Sequence, residues 1–138
     1  MLIELTVENL AVVECCTVRF APGLNVVSGE TGAGKSVILG ALGLVLGGRG
    51  STDLVRAGQE VAQVRAVFLK DQQPVVVQRR LPVRGSGRST IDGQPATRAR
   101  LQELGRELLC ITGQHDQRLL LDPERHLGLL DGLSLIHI

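Results

Sequence analysis

Polar and apolar residues alternate at the start of the chain, with Ile3, Leu5 and Val7 on one face and Glu4, Thr6 and Glu8 on the other. This period of two predicts a half-exposed strand over Met1–Glu8. The alternation resumes at about Val12–Phe20, with Cys16, Val18 and Phe20 inward, Thr17 and Arg19 outward, and Cys15 opposite to Cys16. Pro22-Gly23 supplies a turn, and Leu24–Val27 is a short apolar run suited to a buried strand. Val37 to Leu46 is apolar almost all round, which predicts a helix sandwiched in a core rather than lying on a surface. Gly40 and Gly43 in that helix each cost about 1 kcal/mol relative to alanine, so they predict close packing against a neighbour. Gly47-Gly48-Arg49-Gly50 ends the helix.

Strand-like alternation returns over Glu60–Leu69, with Ala62, Val64, Ala66 and Phe68 inward, and again over Val75–Leu81, which stops at Pro82. The glycine-rich Gly85-Ser86-Gly87-Arg88 leads into Thr90-Ile91 and a tight turn at Asp92-Gly93. The middle of the chain therefore reads as an antiparallel β-rich lobe. A helical period follows Thr97, a good N-cap residue, with Leu101, Leu104 and Leu108 on one face. Leu109–Thr112 suits a short buried strand and Gly113–Gln117 a polar loop, and Asp122-Pro123 opens a last helix in which Asp caps and Pro takes the first position.

The chemistry is concentrated between the apolar runs Leu24–Val27 and Val37–Leu46. Gly29-Glu30-Thr31-Gly32-Ala33-Gly34-Lys35-Ser36 has the spacing of a phosphate-binding P-loop, in the strand, loop, helix order that such a loop requires. Glycines at 29, 32 and 34 let successive backbone N–H groups turn toward phosphate oxygens. Lys35 is placed to reach the β- and γ-phosphates, Ser36 to ligate Mg²⁺, and the helix directs its positive end at the same anion. Net charge is only +1 over 138 residues, which excludes strong global steering toward nucleic acid or membrane but leaves room for a local basic patch. Arg79, Arg80, Arg84 and Arg88 are the candidates, although such a run is most often a solvated face. Three cysteines, two of them adjacent, do not form a disulfide framework. A reducing cytoplasm is the expected compartment. No secretory leader is legible, and the longest apolar run is too short to cross a bilayer.

Beyond the P-loop, the chain carries SGETGAGKS at 28–36, ALGLVLGGR at 41–49, LVRAG at 54–58, GRS at 87–89 and TGQHDQRLL at 112–120. In this order, from Met1 to about Gly132, they resemble the RecN family, the SMC-related bacterial ATPases of double-strand-break repair. The resemblance implies an α/β fold: a P-loop NTPase head of the ABC/SMC type, of which residues 1–132 are the N-terminal half with its antiparallel β-rich lobe. Carried over residue by residue, Gly29–Ser36 match the Walker A loop and Gln114 matches the Q-loop glutamine, which helps position Mg²⁺ and the attacking water. Lys35 and Gln114 are then the catalytic candidates, Ser36 and Gln114 the Mg²⁺ contacts, and Gly29, Glu30, Thr31, Gly32, Ala33, Gly34, Lys35 and Ser36 the ATP cradle. The implied partners are the C-terminal half of the same head, a second head in an ATP-dependent dimer, and DNA, with a cytoplasmic, nucleoid-associated location and no membrane.

Some of the family pattern is missing. The Leu69–Val75 connection is short, and Leu133–Ile138 (LSLIHI) has no counterpart in the family and reads as a truncation scar. A Walker B Asp-Glu, an LSGG-type signature, a D-loop, a switch histidine and a coiled coil are all lacking. Leu127–Asp131 resembles a Walker B run only superficially, because Asp122-Pro123 places it in a helix, and His115 and Asp116 read as solvated loop residues. Two functions remain open: the ATP-binding part of a repair ATPase, and a stand-alone or degenerate P-loop module without hydrolytic activity.

Overall fold

The alternating runs pair into one antiparallel sheet. The computed structural model describes residues 1–29 and 34–109, with strands β1 (Leu2–Leu10), β2 (Val13–Arg19), β3 (Val61–Lys70), β4 (Gln73–Pro82), β5 (Arg88–Ile91) and β6 (Gln94–Pro95) in the spatial order β2-β1-β3-β4-β5-β6. Helices α1 (Lys35–Val45) and α2 (Arg98–Leu108) supply the buried side chains that meet the sheet's inner face. Ala62, Val64, Ala66 and Phe68 are each at most 1% exposed, as the alternation in β3 requires. Leu5 and Val7 of β1 and Val77 and Leu81 of β4 complete the sheet's side of the core, and Ala41, Leu44, Val45, Leu101 and Leu104 the helical side.

The turns follow the chemistry of left-handed backbone. Asp92 and Gly93 both have positive φ, at 50° and 78°, as a two-residue hairpin turn demands. The β3–β4 hairpin needs the same geometry, closes at the Lys70–Gln73 pair and takes it from Asp71 and Gln72 without a glycine. This tight turn accounts for the short connection there.

Three expectations are corrected. First, β1 skips a residue: Leu2 pairs with Phe68 while Glu4 pairs with Val67, so a bulge turns Leu2 into the core and leaves Ile3 only half-buried. Second, Leu24–Val27 forms no strand. Leu24 is 91% and Val26 79% exposed, and no described strand pairs with the segment. Its backbone is organised instead by the Asn25 side chain, which accepts from the Ala21 N–H at 2.9 Å and donates to the Ala21 carbonyl at 2.8 Å. Third, α1 is not sandwiched among the described residues. It buries one face, while Leu39 is 60% exposed and a Cβ added at Gly40 or Gly43 would meet nothing within 4 Å. Close approach occurs elsewhere, at Gly105 of α2, where a Cβ would lie 3.1 Å from the Leu46 side chain.

Helix ends fix how the layers meet. The C-terminus of α1 closes with the Gly47 N–H on the Leu44 carbonyl and the Gly48 N–H on the Gly43 carbonyl, with Gly47 at φ +85°. This is the paired-bond stop that glycine makes possible. The half-buried Arg79 of β4 donates to the carbonyls of Leu44 and Gly48 at 2.7 and 2.5 Å, and the Gln102 amide of α2 donates to the Gly47 carbonyl. Thr97 caps α2 as expected, accepting from the Arg100 N–H. At its other end Glu107 pairs with Lys70 of β3, and this hydrogen bond holds the Glu107 carboxyl below its ordinary pKa and raises that of Lys70.

Three outcomes in urea unfolding follow. Phe68→Ala costs about 3–5 kcal/mol and Arg79→Met about 1.5–3 kcal/mol, whereas Arg106→Ala, exposed on α2, stays within about 0.5 kcal/mol. Because the Glu107 carboxyl titrates low in the fold, its contribution is present above the ordinary glutamate pKa and is lost as pH falls through the depressed value. The pair is exposed, so Glu107→Gln should reduce the loss of stability toward acid pH only slightly.

Candidate nucleotide site

Helix α1 starts at Lys35 directly after Gly34, which occupies the N-cap position at φ −115° and ψ −42°. Glycine has no side chain with which to cap, and the first turn contains no acidic residue, so no side chain of this helix competes for its amino-terminal N–H groups. The Gly34 carbonyl accepts from the Ile38 N–H at 3.1 Å, which carries regular helix back to the end of the loop. A helix end with no side-chain cap and no acidic residue in its first turn suits an anion.

Lys35 is half-buried and its ammonium donates to the Gly29 carbonyl, so the side chain folds back across the loop from its last turn to its first residue. Ser36 is exposed beside it. The structure thus brings together Gly29, Gly34, Lys35 and Ser36. Glu30, Thr31, Gly32, Ala33 and Gln114 lie outside the described residues, as do the expected strand Leu109–Thr112 beyond Leu109, the loop Gly113–Gln117, the last helix and the tail Leu133–Ile138. ATP with Mg²⁺ fits the donor set: amide N–H groups and an ammonium for phosphate oxygens, and a hydroxyl for a hard cation.

Electrostatics separate the four arginines of the expected basic patch. Arg79 leaves it, because it occupies an inward position of β4 in step with Val77 and Leu81 and binds the α1 carbonyls instead. Burial lowers the Arg79 guanidinium pKa, and the nearby charge of Arg98 adds to the effect. Its role was missed in the sequence, although the signal was there: an arginine on the apolar side of an alternating strand must find acceptors. Arg80, Arg84 and Arg88 stay together on the lobe and line a cavity of about 680 Å³.

The DNA repair protein RecN of Bacillus subtilis (strain 168) is 40% identical over 148 aligned residues, which take in 95% of this chain and 26% of that protein. The RecN resemblance read from the residues is thereby borne out, and the chain spans about a quarter of the length of the curated relatives it matches. Among solved structures, the SMC head domain from Thermotoga maritima superposes with a TM-score of 0.73 at 21% identity, over 90% of this chain and 51% of that one. A chain from a structural study of ATP-driven dimerization and DNA-stimulated activation of SMC ATPases gives 0.72 at 21% identity, over 96% of this chain and 98% of that one. These two likenesses establish the fold of an SMC-type head. A family model described as an AAA domain matches residues 4–106, from β1 to the last turn of α2, and the chain belongs to that AAA-domain family.

Proposed function

We propose that this chain is the ATP-binding part of a RecN-like ATPase acting in DNA double-strand-break repair and recombination. The observation that carries the reading is the uncapped amino terminus of α1, with Lys35 folded across the loop and Ser36 beside it. Gly29, Glu30, Thr31, Gly32, Ala33 and Gly34 form the phosphate cradle, Lys35 neutralises phosphate charge, and Ser36 and Gln114 face the metal. Bound Mg²⁺·ATP supplies the phosphoanhydride to be cleaved and a cation that offsets charge on its oxygens. The chain's own contribution is to position and to stabilise electrostatically, as phosphoryl transfer requires. Gln114 orients water with a neutral amide that both donates and accepts.

The same reading assigns the partners. The remainder of the head supplies the carboxylate base, a second head closes on ATP, and DNA is the polymer on which the assembly acts. The similarity to RecN over 95% of the chain favours this over a stand-alone P-loop module. The whole protein works in the cytoplasm, at the nucleoid.

Two measurements on the full-length protein test the assignment. Lys35→Ala should weaken ADP and ATP binding in isothermal titration by roughly ten- to a hundredfold, the value of a charge-assisted phosphate contact; equal heats for both proteins would sink the loop as the site. Gln114→Ala should lower steady-state hydrolysis at least tenfold, on the order of a positioned group's effect, with ADP affinity nearly unchanged. Normal turnover together with a large loss of ADP binding contradicts the role given to Gln114.

A further inference from the structure

The face of the sheet turned away from the core mixes polar residues such as Thr6, Gln63, Arg65 and Gln78 with Val61, Val67 and Val76, and no helix of the described residues lies on it. Toward one end it carries three arginines. Arg80 of β4 stands directly opposite Arg88 of β5 in the ladder, and Arg84 lies in the loop joining the two strands. Opposed positions on neighbouring strands bring side chains within about 5 Å at Cβ, and like charges so placed repel. No ion pair relieves them among the described residues, whereas Arg19, Arg56, Arg65 and Arg100 each have a carboxylate partner.

The scaffold under these arginines is fixed by backbone contacts. The Val83 N–H donates to the Glu60 carbonyl at 2.8 Å, and a Cβ on Gly87 would fall 2.8 Å from the Arg80 carbonyl, so only glycine lets the returning strand lie this close. Arg80, Arg84 and Arg88 line one groove of about 680 Å³, where Glu60 supplies the single carboxylate among the described residues. Three guanidiniums against one carboxylate make a site for an anion with several charges. Phe20 and Phe68, the two aromatic residues of the chain, do not line it. Without a ring to stack on, bases are not read there.

We propose that the Arg80–Arg84–Arg88 groove holds the sugar-phosphate backbone of duplex DNA, independently of sequence. Guanidinium forks match phosphate oxygens two at a time. The neutral donors beside them on the same face, Gln63, Gln78 and Thr90, are the residue types that add phosphate contacts. An acidic protein segment fits less well, because stable protein contacts centre on buried apolar or aromatic anchors and the groove offers only Val61, Pro82 and Val83. The proposal deepens the DNA reading given above and rests on it.

The test is fluorescence anisotropy of the full-length protein with a labelled duplex of about 40 base pairs across a salt series. Each lost phosphate contact reduces the slope of log affinity against log salt by about 0.9. Arg80→Ala/Arg84→Ala/Arg88→Ala should lower the slope by about 2–3 and weaken binding roughly tenfold or more at about 0.1 M salt. ADP binding should be unchanged, which also shows that the variant folds. Arg98→Ala/Arg100→Ala/Arg106→Ala removes the same charge from α2 and should leave the slope almost unaltered, while the single loop substitution Arg84→Glu should weaken DNA binding without touching the ladder. A wild-type slope in the groove variant overturns the groove and leaves the ATPase reading standing. Competition by polyglutamate as strong as that by unlabelled duplex also overturns it, in favour of an acidic protein partner, and wild-type protein that binds no duplex at all overturns the DNA reading with it.

Discussion

The described part of the fold depends on holding helix α1 by its carboxyl end. No side chain caps its amino terminus among the described residues, where a capping side chain usually fixes a helix, and the proposed nucleotide site uses those N–H groups for an anion. The anchorage is at the carboxyl end instead. There the Gly47-Gly48 stop satisfies two carbonyls, Arg79 of β4 bonds those of Leu44 and Gly48, and Gln102 of α2 bonds that of Gly47. A guanidinium at a helix carboxyl end also opposes the negative pole of the helix, and partial burial strengthens the attraction. The same burial lowers the Arg79 pKa, yet a guanidinium starts so far above neutrality that its charge is kept.

The antiparallel lobe gives this anchor a rigid base. The inner face of β3 is sealed by Ala62, Val64, Ala66 and Phe68, and the small residues among them let α1 approach through Ala41, Leu44 and Val45. The opposite side of α1 behaves differently. Leu39 stays exposed, Gly40 and Gly43 face open space, and in the segment before the loop Leu24 and Val26 are more exposed still. These apolar groups, open among the described residues, agree with the reading that further parts of the head cover them. The outer face of the sheet and the β4–β5 loop carry three arginines that have no ion-pair partner among the described residues.

The alternating strands were legible because one face of the sheet is buried and the other is not, so that Phe68 and Arg65 are told apart by parity alone. The Asp92-Gly93 turn and the Thr97 cap were legible because each depends on local chemistry. Other features are settled by distant groups. Leu24–Val27 has the composition of a strand but forms no ladder with a described strand, and Asn25 takes over its backbone locally. Hydrophobicity all round α1 signalled burial on every side, but burial requires a covering element, and the described residues provide one on a single face. The bulge that exchanges Leu2 for Ile3 is a matter of register, which a period of two does not reveal. Of the site, the loop's identity was plain from its spacing, and the structure adds how Lys35 and Gly29 meet. The anchoring role of Arg79 emerged only with the fold.

The central claim is that this chain holds nucleotide and leaves the cleavage step to groups outside it. Hydrolysis of ATP by purified, monomeric residues 1–138, measured with and without Mg²⁺ and beside Lys35→Ala, tests that claim most directly. The account predicts nucleotide binding that depends on Lys35, with release of phosphate no faster than background. Robust Mg²⁺-dependent turnover that disappears in Lys35→Ala would mean that the base lies within the chain, and would contradict the account.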